Sequence, residues 1–375
     1  MKKRIYAPAV IFVIILVFSA VLCYNAGKNS EQFPKATKEN ILSGEFFDLL
    51  EEYVEECVPK KQEIRQLATG AEKLLGRYEF GDIYVGENML LEKAKEPNEN
   101  MARNNIEAIS EFTQQNRIPV YSVIVPTKVA IMQQQLPIYT ELTDQKNFIE
   151  RVYNKFSGVV SCVDIYPTLF AHQNEYIYYK TDERLTSLGN YYGYKVLINR
   201  LGKIPRPIDD FKMWFVCHEY YGETYKKSGY TKIEPDIITV FKYKNKNLSF
   251  RVVHNDTNEQ FDNVYSQEAI DTEQWDNVFL GGYSNDITIT TQKNINRGVS
   301  SDKYNLTLLV FGDESAVGFL PFLALHYDEI RFVNIENMTA EEIFQIDANY
   351  YGQIAFIYSF DTFSNTEIPS KIKNI

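Results

Sequence analysis

The sequence predicts an α/β protein in which a mostly parallel sheet lies between helical layers, with a β-rich segment inserted. Three observations predict it. Apolar runs of strand length alternate with stretches of helical period over most of residues 101 to 358. Between about 205 and 300 that alternation stops and short β-rich runs replace it. After the insertion it resumes with Leu308-Leu309-Val310-Phe311, a run that reads as a buried strand.

In chain order, Phe46, Phe47, Leu49, Leu50, Tyr53 and Val54 recur at helical spacing until Pro59 stops the helix, and 61–77 reads as a second one. A helix over 101–117 precedes a strand over 119–125. Another over 146–156 precedes a strand over 159–164. A helix over 185–201 follows, which Asp182 or Thr181 is placed to cap. The insertion offers runs at 237–243, 248–253 and 287–291, a wall over the carboxyl ends of the parallel strands, where such sheets bind ligands. Gly312 and Asp313 then turn the chain into a helical stretch over 316–325, followed by a strand at 330–333, a helix over 340–346 and a strand at 354–358. Strands joined by crossover helices make this a flavodoxin-like three-layer sandwich.

The N-terminus sets the compartment. Residues 1–6 form a basic tail with Lys2, Lys3 and Arg4. Residues 7–24 carry no charge and nearly match the ~20 residues that span hydrocarbon. No clean Ala-x-Ala site closes the run, and Cys23 lacks the small residue that a lipoprotein signal needs before it, so an uncleaved signal anchor is the expectation. Residues 25–40 read as a stalk, and 41–375 as one domain outside the cell membrane. The formal net charge of −11, with no basic stripe beyond the first four residues, argues against nucleic acid. The 27 Tyr and 24 Phe suit sugar platforms, although an AT-rich genome, in which Lys, Asn, Ile, Tyr and Phe rise together, explains such counts better. Cys23, Cys57, Cys162 and Cys217 contain no Cys-x-x-Cys pair, and the acidic Asp182, Glu183, Asp313 and Glu314 sit in no calcium-loop motif. Neither a metal nor a cofactor is expected.

Five blocks, by their order and spacing along the chain, carry a resemblance. Tyr178-Tyr179-Lys180-Thr181-Asp182-Glu183-Arg184-Leu185-Thr186, with Leu188-Gly189 and Tyr191-Tyr192 after it, resembles the Tyr-Tyr-Lys-Thr-Asp-His-His-Trp-Thr signature of the DHHW family. That family comprises SGNH (GDSL-type) hydrolase-like proteins related to those of alginate O-acetylation. Gly312-Asp313-Glu314-Ser315, with Pro321-Phe322-Leu323 downstream, resembles its serine elbow. Asp82 to Gly86 and Pro119 to Thr127 resemble two of its strands. Phe279-Leu280-Gly281-Gly282-Tyr283 resembles its Leu-Gly-Gly element, with Tyr283 where Asn or Asp is usual.

The resemblance implies an SGNH-type fold with a Ser-His-Asp site, yet two of the three positions have changed. Asp182 matches the acid. Arg184 stands where the base should be, and a guanidinium stays protonated and cannot accept a proton. Aligned without a gap, Glu314 stands where the nucleophile should be; a one-residue slip would put Ser315 there and spoil the spacing to Pro321. Glu314 facing Arg184 would place an ion pair in the old active site, with Glu183 or Asp313 as other possible partners. Thr127, Glu183, Gly282, Tyr283 and Asp313 are candidates for the surrounding pocket. Three functions follow: a catalytically degenerate protein that binds envelope polysaccharide or an envelope protein, an active O-acyl esterase or acetyltransferase using Ser315 and Asp182, or a structural component with a filled pocket. His172, His218, His254 and His326 are the remaining candidates for a base.

Overall fold

The computed structural model describes residues 78–138, 140–245, 247–293 and 306–374. The expected anchor at 7–24, the stalk and the helices between 46 and 77 lie outside them. Among the described residues no helix is long and apolar enough to cross a membrane.

A small antiparallel sheet of β1 (Glu79–Phe80), β2 (Ile83–Val85) and β3 (Leu90–Glu92) opens the chain. Helix α1 (Glu99–Gln115) follows because Asn98 caps it, accepting from the N–H groups of Asn100 and Met101. Its apolar stripe ends in Phe112, which meets Phe311 and Phe356 edge-on. Strand β4 (Val120–Val125), helix α2 (Lys128–Ile131), helix α3 (Gln145–Phe156), strand β5 (Ser161–Cys162), helix α4 (Tyr166–Ala171) and helix α5 (Ser187–Arg200) come next. The strand expected over 159–164 pairs at only two residues.

Thr186 caps α5, its side-chain oxygen accepting from the Gly189 N–H at 3.3 Å. The expected caps Thr181 and Asp182 are occupied elsewhere, as described below. The insertion begins with β6 (Phe211–Tyr220), which pairs with β7 (Asp236–Tyr243) as a separate two-stranded sheet; helix α6 (Glu223–Ser228) lies between them in sequence. Then come β8 (Leu248–His254), β9 (Gln260–Phe261), α7 (Gln267–Asp271) and β10 (Asp286–Lys293). The chain closes through β11 (Thr307–Gly312), α8 (Glu314–Val317), α9 (Leu320–Leu323), β12 (Glu329–Val333), α10 (Ala340–Phe344), β13 (Gln353–Ser359) and α11 (Phe360–Asn365).

The main sheet has eight strands in the order β5-β4-β13-β11-β12-β10-β8-β9. The first five run parallel, and β10, β8 and β9 extend the sheet antiparallel. Strand β11 is buried along its whole length, as a central parallel strand covered on both faces must be. The crossovers from β4 to β5 and from β11 to β12 travel in opposite directions across the sheet. Right-handed connection therefore places α3 and α9 on opposite faces. Helix α3 meets α1, whereas α9 meets α5, giving the two helical layers.

Three expectations are corrected. The strand order is not flavodoxin-like, since β13, last in the chain, lies between β4 and β11. The outer edge of β12 is already bonded to β10, so the last strand cannot add there. The insertion is also more than a wall, because β8, β9 and β10 become part of the main sheet. Finally, the helix foreseen over 316–325 is two short pieces broken at Gly318, with Pro321 in the first turn of the second.

Candidate functional site

The carboxyl ends of β4, β11, β12 and β13 open into one cleft of about 750 Å³. Thr127, Glu183, Arg184, Gly282, Tyr283, Asp313, Glu314 and Ser315 all line it. Asp182 lies just behind, with its side chain 5% exposed. The two divergent motifs, 130 residues apart in sequence, therefore meet.

Arg184 is the centre of the site. Its Nε donates to Asp182 Oδ1 at 2.8 Å and its Nη2 to Asp182 Oδ2 at 3.0 Å, a bidentate pair. Its own backbone N–H also donates to Asp182 Oδ1. Nη1 donates to Glu314 Oε1 at 3.1 Å, and Nη2 reaches Asp276 Oδ1 at 3.0 Å and the Tyr220 hydroxyl. Tyr220 in turn donates to Asp276 at 2.8 Å. Burial would raise the Asp182 carboxyl, but the Arg184 guanidinium and two backbone N–H groups hold it below the usual range. Glu314 is pushed the other way: although its side chain is 60% exposed, partial desolvation inside the cleft raises it, Arg184 offsets only part of that, and three nearby carboxylates add to it.

The elbow is held apart from this network. Asp313 caps α8: its Oδ1 accepts from the Ser315 N–H at 3.0 Å and from the Ser315 hydroxyl. Its Oδ2 accepts from the N–H and hydroxyl of Ser359 at 2.9 and 2.7 Å, tying the elbow to the end of β13. Ser315 thus reaches the cleft bonded to a carboxylate, and none of the four histidines lines that cleft. His172 stacks on Tyr192 with ring centroids 3.7 Å apart, His218 on Phe215, His254 contacts the Leu280 carbonyl and His326 the Tyr194 hydroxyl.

The 280–282 turn keeps positive φ at Leu280, Gly281 and Gly282. It sets Tyr283 half in solvent at the rim, where Asn334 donates to its hydroxyl. Among the described residues no group of three or more His, Cys, Asp or Glu is placed to hold a metal ion. Cys162 and Cys217 are free thiols; burial pushes the Cys162 thiol up to about 12.

Four residues that position this centre escaped the sequence reading. Tyr220 and Asp276 come from the insertion, and no motif marks them. Lys128 follows the Pro126-Thr127 turn and is fully buried; its Nζ donates to the Asp182 carbonyl at 2.7 Å and pairs with Glu183 at 3.1 Å. A buried unpaired lysine would be a clear sign of a functional group, but this one is satisfied and braces the 179–183 turn. Replacing Lys128 by Met should lower stability by about 2 kcal/mol, read by urea unfolding, since it strands two carbonyls and the Glu183 carboxylate. Asp236, wholly buried at the start of β7, accepts from the N–H groups of Lys180 and Thr181 and from the hydroxyls of Thr181 and Tyr176.

A family model described as "DHHW protein" matches residues 97–333, which include both divergent motifs. The chain belongs to the DHHW family. No relative is found among curated proteins. The fold of this DHHW protein is similar to that of a DHHW family protein from Eubacterium siraeum, with a TM-score of 0.63 and 20% identity; the match covers 78% of this chain and 94% of that one. It is also similar to PatB1 of Bacillus cereus, in a structure with a sulfonyl adduct, with a TM-score of 0.59 and 15% identity over 76% and 97% of the two chains.

Proposed function

We propose that this DHHW protein is a membrane-anchored, extracytoplasmic binding protein of the cell envelope, catalytically degenerate, whose cleft takes envelope glycan. One observation carries the reading. The guanidinium of Arg184 occupies the base position, clamps both oxygens of Asp182 and points its remaining nitrogen at Glu314, where a nucleophile would stand. A Ser-His-Asp site works because a neutral imidazole can take the serine proton. Here the acid serves a permanent cation instead, and the hydroxyl of the serine nearest the site donates a hydrogen bond to Asp313 rather than to an imidazole.

The alternative, an O-acyl esterase or acetyltransferase through Ser315 and Asp182, lacks a histidine base at the cleft. A filled, purely structural pocket is disfavoured by the 750 Å³ of open cleft. Trp275, Phe279 and Tyr283 line that space and supply apolar faces of the kind sugar rings stack on. The anchor rests on the uncharged run at 7–24 behind Lys2, Lys3 and Arg4, which also supports a single-pass SGNH-type envelope protein with its domain outside.

Titration calorimetry of the full chain in mild detergent against a panel of neutral, basic and acidic oligosaccharides tests the reading. At least one is expected to bind, and Trp275→Ala to weaken it roughly tenfold, the scale of a lost aromatic platform. Binding that Trp275→Ala, Tyr283→Ala and Glu314→Gln all leave unchanged would contradict a role for the cleft.

A further inference from the structure

We infer that the cleft is built for a cationic sugar, one whose amine is free rather than acetylated. The inference rests on the glycan-binding reading and deepens it. Its first basis is charge stoichiometry at the centre. Asp182, Asp276 and Glu314 share a single guanidinium. Both oxygens of Asp182 are used, but Asp276 and Glu314 each spend only Oδ1 or Oε1 on Arg184, and their side chains are 56% and 60% exposed. The centre therefore retains negative charge that a further cation would partly offset. The whole cleft lining, with Asp276, Glu314 and Arg184 included, carries seven carboxyl side chains against three basic ones.

The second basis is independent of charge. Two lining residues hold a buried polar atom without a partner, Oδ1 of Asn190 and Oδ1 of Asp361. Asn190 is only 5% exposed, and its Nδ2 donates to the carbonyls of Leu185 and Thr186 at 3.1 and 3.0 Å. Those two bonds fix the amide's orientation, so the free atom is the oxygen. Gly318 packs against this amide so closely that any Cβ there would overlap it. Buried acceptors are rarely left unsatisfied, so a donor entering the cleft is the candidate partner for these two. Both orphans are acceptors, so a ligand that satisfies them does so with a donor. A primary ammonium offers three donors and no acceptor, whereas an acetamide or a carboxylate brings oxygens that the carboxylates repel.

An organic cation fits better than a metal ion, since no three acidic or histidine side chains among the described residues converge at metal-binding geometry. The faces of Trp275 and Tyr220, also in the lining, attract an ammonium directly.

The test compares a glucosamine tetramer with its fully N-acetylated counterpart and with tetralysine, by calorimetry on the full chain at neutral pH. The glucosamine tetramer is expected to bind at least about tenfold tighter than either. Asp361→Asn and Glu314→Gln should each erode that preference severalfold while leaving the melting curve unchanged. Equal or tighter binding of the acetylated tetramer would overturn the amine preference and leave glycan binding standing. Tighter binding of tetralysine would overturn the sugar assignment. No binding by any tetramer in the wider panel would contradict both readings at once.

Discussion

Replacing Arg184 by Met is expected to destabilise the folded chain by about 3 kcal/mol at pH 7.5. The substitution keeps most of the side-chain volume, so the loss is electrostatic. It leaves Asp182 buried and ionised with no cation, and removes one partner each from Asp276 and Glu314. The pH dependence separates this from a packing defect. In the wild type the Asp182 carboxyl is held below its usual range, so its stabilisation is complete above the unfolded value of about 3.9 and is lost as pH falls through the folded one. In the variant the two backbone N–H groups remain but the guanidinium is gone, so burial outweighs them, the pKa rises above the unfolded value, and protonation on acidification relieves the penalty. Urea unfolding at pH 7.5 and pH 5 should therefore show the gap between variant and wild type narrowing at the lower pH. A gap that is constant or widens would mean that Asp182 is not the group left unpaired.

Asp236→Ala should be at least as damaging, at roughly 3–5 kcal/mol by the same measurement. It orphans two backbone N–H groups and the buried Thr181 hydroxyl, each worth about 1–3 kcal/mol when left unsatisfied. Asp236→Asn should recover less than half, because an amide nitrogen would face a donor at one of the two positions. The consequence also reaches the site. Asp236 pins Lys180 and Thr181 directly before Asp182, and Gly222, after β6, runs so close to Asp182 that a Cβ there would overlap its carboxyl group. The insertion thus holds the 178–186 motif from one side and Lys128 holds it from the other.

The sequence made the helices, the parallel strands and the meeting of the two motifs legible, for a physical reason. Continuous apolar runs such as 308–311, and helices capped by Asn98 and Asp144, are local signals that tertiary packing reinforces. The strand order was not legible, because nothing local in 353–359 says that the edge of β12 is taken. Thr186 rather than Asp182 caps α5, since Asp182 has a stronger partner in Arg184, two residues away. Glu314 opposite Arg184 was legible from motif alignment alone. The third carboxylate, Asp276, and Tyr220 were not, because they arrive from an insertion without a motif and gain meaning only next to the guanidinium.

The most direct measurement of catalytic degeneracy is fluorophosphonate labelling of the folded full chain, read by intact mass and peptide mapping beside Ser315→Ala. The expected result is no adduct on either protein, since no imidazole lines the cleft to take the Ser315 proton. A single adduct at Ser315, absent from the variant, would show an activated serine and contradict the reading of Asp182, Arg184 and Glu314 as an ion-paired remnant.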